Sequence, residues 1–190
     1  STVITLPDTV TELTNYANQK CNGQDAVTLQ TAFALSCNTA FVEMSEQLGA
    51  DELRKYAKAF GVGENYDLGV STSAGTLGDL PDGAATAQSA IGQRDVTMTA
   101  LQAAVMAGTV ANKGTRMQPY LVNRITDAQM KDVRTTKPKK ADQAVNEETA
   151  ATLTDLMYAS ERSSAGYDGN GFASKTGTAE HGEGLAPHVW

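Results

Sequence analysis

Thr28-Leu29-Gln30-Thr31-Ala32-Phe33-Ala34-Leu35-Ser36-Cys37-Asn38-Thr39-Ala40-Phe41 is the stretch on which the reading of this chain turns. Leu29 and Phe33 before its centre, and Phe41, Met44 and Leu48 after it, keep the near-3.6-residue spacing of a helix up to Gly49, a natural C-terminal cap. The spacing predicts helix, in one piece or two. On one continuous helix, residues two apart point in widely different directions, so Ser36 and Asn38 would form no more than a small polar patch. If the helix breaks between Leu35 and Thr39, both side chains can face one groove. A hydroxyl beside an amide is then a proton relay next to a group that orients substrate.

Outward from this centre, Asp51 can cap a further helix whose Leu53, Tyr56, Ala57 and Phe60 form one stripe before Gly61 ends it. Residues 61–96 hold seven glycines and sustain no period, so a long irregular connection is expected there. Thr99 caps a helix with Leu101, Ala104, Val105 and Gly108 on one face, stopping at Asn112-Lys113-Gly114. Residues 117–125 read as a strand interrupted by Pro119, and residues 131–140 as a basic, solvated hairpin or loop. Asn146, with Glu147 and Glu148 behind it, opens a helix carrying Ala150, Leu153 and Met157. A Ser-, Gly- and Asp-rich loop over 160–171 leads into residues 171–178, which alternate as a strand does. The first 25 residues are loop-rich, with one short strand at 3–6.

The chain has 190 residues, 41% of them hydrophobic, which places it among globular sequences of domain size. Its net charge of −7 would repel phosphate backbones and anionic headgroups, so no nucleic-acid partner is expected. Two cysteines, Cys21 and Cys37, are too few for a zinc site unless other ligands join them. They would pair in an oxidising compartment and remain thiols elsewhere, and their spacing alone favours neither state. His181 and His188, with Glu180 and Glu183 nearby, read as polar loop residues rather than a metal site, and Trp190 as a core residue of a following strand.

Lys175-Thr176-Gly177-Thr178 is the second motif. On a strand, Gly177 lets a ligand backbone lie close, the hydroxyls of Thr176 and Thr178 can donate to a carboxylate, and Lys175 adds positive charge beside them. The same four residues also suit an ordinary strand end running into a turn. Phosphate binding is the weaker alternative. Gly169 through Thr176 misses a P-loop by one glycine, and Gly177, Gly182, Gly184 and Pro187 follow where that loop needs a helix.

Taken together and in this order, Ser36-Cys37-Asn38 and Lys175-Thr176-Gly177 resemble two of the three active-site elements of penicillin-binding proteins and serine β-lactamases. The surrounding sequence resembles a class B penicillin-binding protein transpeptidase domain. The matching segments are residues 29–41, Ala90-Ile91-Gly92-Gln93 before Met98-Thr99-Ala100-Leu101-Gln102, Val110-Ala111-Asn112-Lys113-Gly114, Pro119-Tyr120-Leu121-Val122 and residues 173–180. Arg94-Asp95 depart from the pattern of many relatives. No serine in the chain has a lysine three positions on, so the family's Ser-x-x-Lys nucleophile is not in this sequence.

The resemblance implies an α+β fold, of which this chain would be an incomplete transpeptidase domain. Residues 1–25 would be a loop-rich lead-in, 26–160 the helical portion and 171–190 the strand region of the sheet. The nucleophile is expected upstream of Ser1, with a membrane anchor, and the remaining strands and last helix downstream of Trp190. The implied activity is peptidoglycan DD-transpeptidation through a serine acyl-enzyme, on stem peptides ending in D-Ala-D-Ala. β-Lactam antibiotics would acylate the same serine, and no cofactor is expected. Ser36 would relay protons, Asn38 would orient the substrate amide, Lys175 with Thr176 and Thr178 would hold the terminal carboxylate, and the Thr178 N–H would serve an oxyanion hole. The implied place is the extracytoplasmic face of the membrane, with cell-wall synthesis or division proteins as partners, and it favours the Cys21–Cys37 pair. The alternatives are a β-lactam sensor or serine β-lactamase relative, and a non-catalytic cell-wall scaffold module.

Overall fold

The computed structural model describes residues 3–15, 18–179 and 185–190. A short hairpin comes first, β1 (Val3–Thr5) against β2 (Glu12–Thr14), antiparallel with Val3 opposite Thr14. A 3-10 turn at Cys21–Gly23 leads to α1 (Leu29–Ala34), whose Thr28 cap accepts from the Thr31 N–H. The helix does break in the central stretch: α2 starts afresh at Asn38 and runs to Ala59 (Asn38–Ala59). Within α2 the axis is interrupted at Gly49 (φ 79°, ψ 164°), a conformation that glycine tolerates and that separates the two helical stripes read from sequence. Asp51 therefore lies inside the first turn after the interruption, where it pairs with Arg54 at 2.9 Å.

Residues 61–96 correct the sequence reading, because they contain a helix, α3 (Gly83–Ala90). Asp82 caps it, accepting from the Ala85 N–H at 2.8 Å. Its buried face is Ala85, Thr86, Ala87 and Ser89, too small to register as an apolar stripe but small enough to let α3 lie close on α2. Leu6, Val42 and Ala87 bury together where the hairpin, α2 and α3 meet, with Ile4, Leu13 and Ile91 around them. The irregular remainder is closed by a two-way bridge between Thr76 and Thr97, both bonds 2.9 Å. Beneath it the Gln102 amide, 2% exposed, donates to the carbonyls of Gly61 and Ala74.

α4 (Ala100–Ala111) carries a full capping box between Thr99 and Gln102, and α5 (Glu147–Ser163) is capped by Asn146, as their sequences predict. Between them lie two ribbons. β3 (Thr115–Met117) pairs with β6 (Lys140–Gln143), and β4 (Arg124–Thr126) with β5 (Asp132–Thr135). The strand expected over 117–125 is thus two strands, interrupted at the stretch that holds Pro119, whose missing N–H cannot join a ladder. Only β7 (Thr178–Ala179), against β8 (His188–Val189), forms where a strand over 171–178 was expected. Trp190 is 56% exposed among the described residues, and its backbone pairs with Gly177.

Gly114 (φ 78°) ends the turn after α4, and a Cβ there would collide with the Val145 carbonyl oxygen, its carbon only 2.9 Å away. Gly49 has a similar φ but nothing within 4 Å. Gly114→Ala is expected to destabilise by roughly 3 kcal/mol or more, and Gly49→Ala by about 1–2 kcal/mol, in equilibrium urea unfolding.

Candidate active site

The site grows from the way α1 stops. Cys37 N–H bonds back to Ala32 C=O (2.9 Å) and Ser36 N–H to Phe33 C=O (3.2 Å), the paired closure of a Schellman turn. That closure requires a left-handed residue after the C-cap, normally glycine, and here it is Ser36 at φ 56°. Cys37 then begins α2, its carbonyl accepting from the N–H groups of Ala40 and Phe41. The Ser36 side chain is exposed. The Asn38 amide, partly buried, donates to the Thr14 carbonyl at 3.2 Å.

Across 139 positions of sequence, Lys175 meets this turn, its Nζ donating to Ser36 Oγ at 2.6 Å. The same Nζ reaches the Thr176 carbonyl at 2.6 Å and lies 5.8 Å from the centre of the Phe33 ring, which packs edge-on against Phe41. Burial pushes the Lys175 amine below the ordinary lysine value, because desolvation penalises the charged form. Ser174, one residue earlier, is tied to α5: its N–H donates to Met157 C=O at 3.3 Å and its hydroxyl to a Glu161 carboxylate oxygen. Glu161 carried no signal in the sequence, and Met157 only one of helix, since nothing local relates residues 157 and 161 to residue 174.

Gly177 pairs both ways with Trp190, N–H to C=O at 3.2 Å and the reverse at 3.0 Å. Alternate residues of an antiparallel strand bond to opposite sides, so the backbone groups of Thr176 and Thr178 face the other edge. A cleft of about 650 Å³ lies there, lined by Ser36, Asn38, Thr176, Gly177 and Thr178, with Gln88 and Gln93 at the α3 end. All six chemical residues read from sequence therefore converge, five on the cleft wall and Lys175 behind Ser36.

Cys21 and Cys37 form a disulfide, with Cα atoms 5.6 Å apart. They are 7% and 3% exposed and pack with Ala32, Val27 and Phe41. The bond leaves no thiolate at Cys37 and ties the turn that carries Ser36 to the N-terminal segment. Glu180, His181 and Glu183 lie outside the described residues.

The penicillin-binding protein transpeptidase domain family matches residues 3–187. The peptidoglycan D,D-transpeptidase PbpA of Mycolicibacterium smegmatis is 43% identical over 97% of this chain, which spans 39% of that protein's length. The protein of the same name from Mycobacterium tuberculosis is 39% identical over 98% of this chain and 40% of its own length. Stage V sporulation protein D of Bacillus subtilis is 31% identical over 76% of the chain. The crystal structure of PBPA from Mycobacterium tuberculosis superposes with a TM-score of 0.94 at 39% identity, covering all of this chain and 44% of that one. The imipenem acyl-enzyme complex of penicillin-binding protein A from M. tuberculosis gives the same score. The chain thus spans about two fifths of the length of each of these two PbpA relatives.

Two outcomes follow from the turn. Ser36→Gly is expected to raise stability by about 1 kcal/mol, seen as a higher unfolding midpoint, because it relieves the left-handed strain. Cutting the Cys21–Cys37 bond, by reduction or by a Cys21→Ser/Cys37→Ser double change, is expected to remove ~3 kcal/mol in the same measurement.

Proposed function

Because the chain belongs to the penicillin-binding protein transpeptidase domain family, we propose that it is the inner part of a serine DD-transpeptidase that cross-links peptidoglycan stem peptides. The observation that carries the reading is the 2.6 Å contact from Lys175 Nζ to Ser36 Oγ beside an open strand edge. In this reading a serine from a Ser-x-x-Lys element outside these 190 residues attacks the carbonyl of the penultimate D-Ala. The peptide C–N bond breaks, the terminal D-Ala leaves as an amine carrying a proton, and the acyl group remains on the serine. An amine of a neighbouring stem then takes the acyl group, and the serine recovers its proton.

Each residue of the cleft has a part in that sequence. Ser36 passes the proton to the leaving amine, and Lys175, whose amine burial pushes below the ordinary lysine value, can give or accept it through the short hydrogen bond. Asn38 orients the substrate amide. The hydroxyls of Thr176 and Thr178, with Lys175 when charged, hold the terminal carboxylate. The Thr178 N–H, on the unpaired strand edge, is one oxyanion donor; losing such a donor costs about 3–4 kcal/mol of transition-state stabilisation. The substrate lies along Gly177 as an added strand.

β-Lactams are the second ligand class, since they present the same acyl group and carboxylate, and three of the matched structures of penicillin-binding protein A from M. tuberculosis are β-lactam acyl-enzyme complexes. The proposed place is the extracytoplasmic face of the membrane, held by an anchor outside this chain, where a buried disulfide persists. Cell-wall synthesis or division proteins are the proposed partners there.

A fluorescent penicillin is expected to label the longer protein through denaturing electrophoresis and to leave residues 1–190 alone unlabelled. In the longer protein, Ser36→Ala and Lys175→Ala are each expected to slow acylation about 10²-fold or more. Stable labelling of the 190-residue chain, or undiminished rates in both variants, would overturn the reading.

A further inference from the structure

The first turn of α2 exposes N–H groups that a helix normally satisfies with the side chain of its own N-cap residue. That residue is Cys37, which makes no side-chain capping bond and whose sulfur is committed to Cys21. The acceptor comes instead from the far end of the N-terminal segment. Asn15, 6% exposed, places its Oδ1 3.0 Å from the Thr39 N–H and 3.2 Å from the Thr39 hydroxyl, and Thr39 is itself 5% exposed. The amide is fixed from its other side, its Nδ2 donating to the Gln19 carbonyl at 3.0 Å. Thr39 is the second residue of α2, which is where an N-cap side chain delivers its bond.

We infer that Asn15 is a positioning residue: it caps α2 in place of Cys37 and thereby fixes the direction in which Ser36 and Asn38 face the cleft. The geometry leaves little freedom around it. Thr14, its neighbour, takes the Asn38 amide on its carbonyl, so residues 14 and 15 hold the first two residues of α2. Cys21 holds Cys37, the residue between Ser36 and Asn38, through the disulfide. A backbone that is strained at Ser36 stays put only while its surroundings over-determine it, and Asn15 is one of those surroundings. Asn15 does not touch the reacting atoms in this scheme; it acts through Ser36 and Asn38.

The inference rests on the transpeptidase reading, and the test separates the two. In the longer protein carrying the nucleophile, acylation by a fluorescent penicillin is followed over a range of concentrations, giving the limiting rate k2 apart from the binding constant. If the unaltered protein is not acylated, the transpeptidase reading has failed, and Asn15 loses its stated role with it. Given acylation, Asn15→Ala is expected to lower k2 on the order of tenfold with little change in binding, since small misplacements of catalytic groups act on rate. Asn15→Asp keeps an acceptor, and a carboxylate suits a helix N-terminus, so it is expected to recover most of the loss. A merely structural role predicts something else: less protein labelled at saturation, with an unchanged k2 for the molecules that label. That result, a fall in k2 of less than about threefold, or Asn15→Asp as slow as Asn15→Ala, would overturn the inference. Should Asn15→Ala not fold, Asn15→Ser replaces it, its shorter hydroxyl failing to span both Thr39 donors. Equal k2 for the Ser and Asp variants would then count against the assignment, and a slower Ser variant would support it.

Discussion

The structure depends on a backbone constraint at one residue. The paired closure that ends α1 requires a left-handed residue directly after the C-cap, and in this chain that residue is Ser36 at φ 56°. A serine there carries strain that a glycine would not, of the order of 1–2 kcal/mol. What is gained is orientation: the hydroxyl projects from a turn into a cleft instead of lying along a helix flank. Everything around the turn holds it in that state, from the disulfide at Cys37 to the carbonyl of Thr14 and the amide of Asn15. Strain at a functional position, held by neighbours, is the pattern expected where geometry has been favoured over local stability.

This explains why some of the molecule could be read from sequence and some could not. The break at Ser36 was legible because two residues that make chemical sense together cannot share a face on one continuous helix. Helices α2, α4 and α5 were legible because their caps and stripes are local: Thr99 with Gln102, Asn146 with Thr149, Leu53 with Tyr56. Helix α3 was not, since Ala85, Thr86, Ala87 and Ser89 bury by being small, and smallness has no hydropathy period. The Asp82 cap was there to be found, but glycines on both sides of it spoke for a loop.

Long-range pairings mark the other limit. Lys175 and Ser36 were joined through the order of two motifs, not through any local signal, whereas Asn15 with Thr39 and Ser174 with Glu161 have no motif to announce them. Of the segment 171–178, Thr178 is laddered against β8, and Trp190 extends the pairing to the backbone of Gly177.

The electrostatics of Lys175 follow from the same placement. Its amine is half-buried beside the Phe33 ring, the Ser36 hydroxyl and the Thr176 carbonyl, and this desolvation lowers its pKa from the ordinary lysine value. A neutral amine can accept the Ser36 proton, and an ammonium can only donate to the Ser36 oxygen; one hydrogen bond of 2.6 Å serves both directions. An anion entering the cleft beside Thr176 and Thr178 would push the balance back, since an opposite charge within about 4–6 Å favours the charged form. In the proposed reaction, proton transfer and carboxylate recognition thus draw on one side chain, whose charged form is penalised by burial.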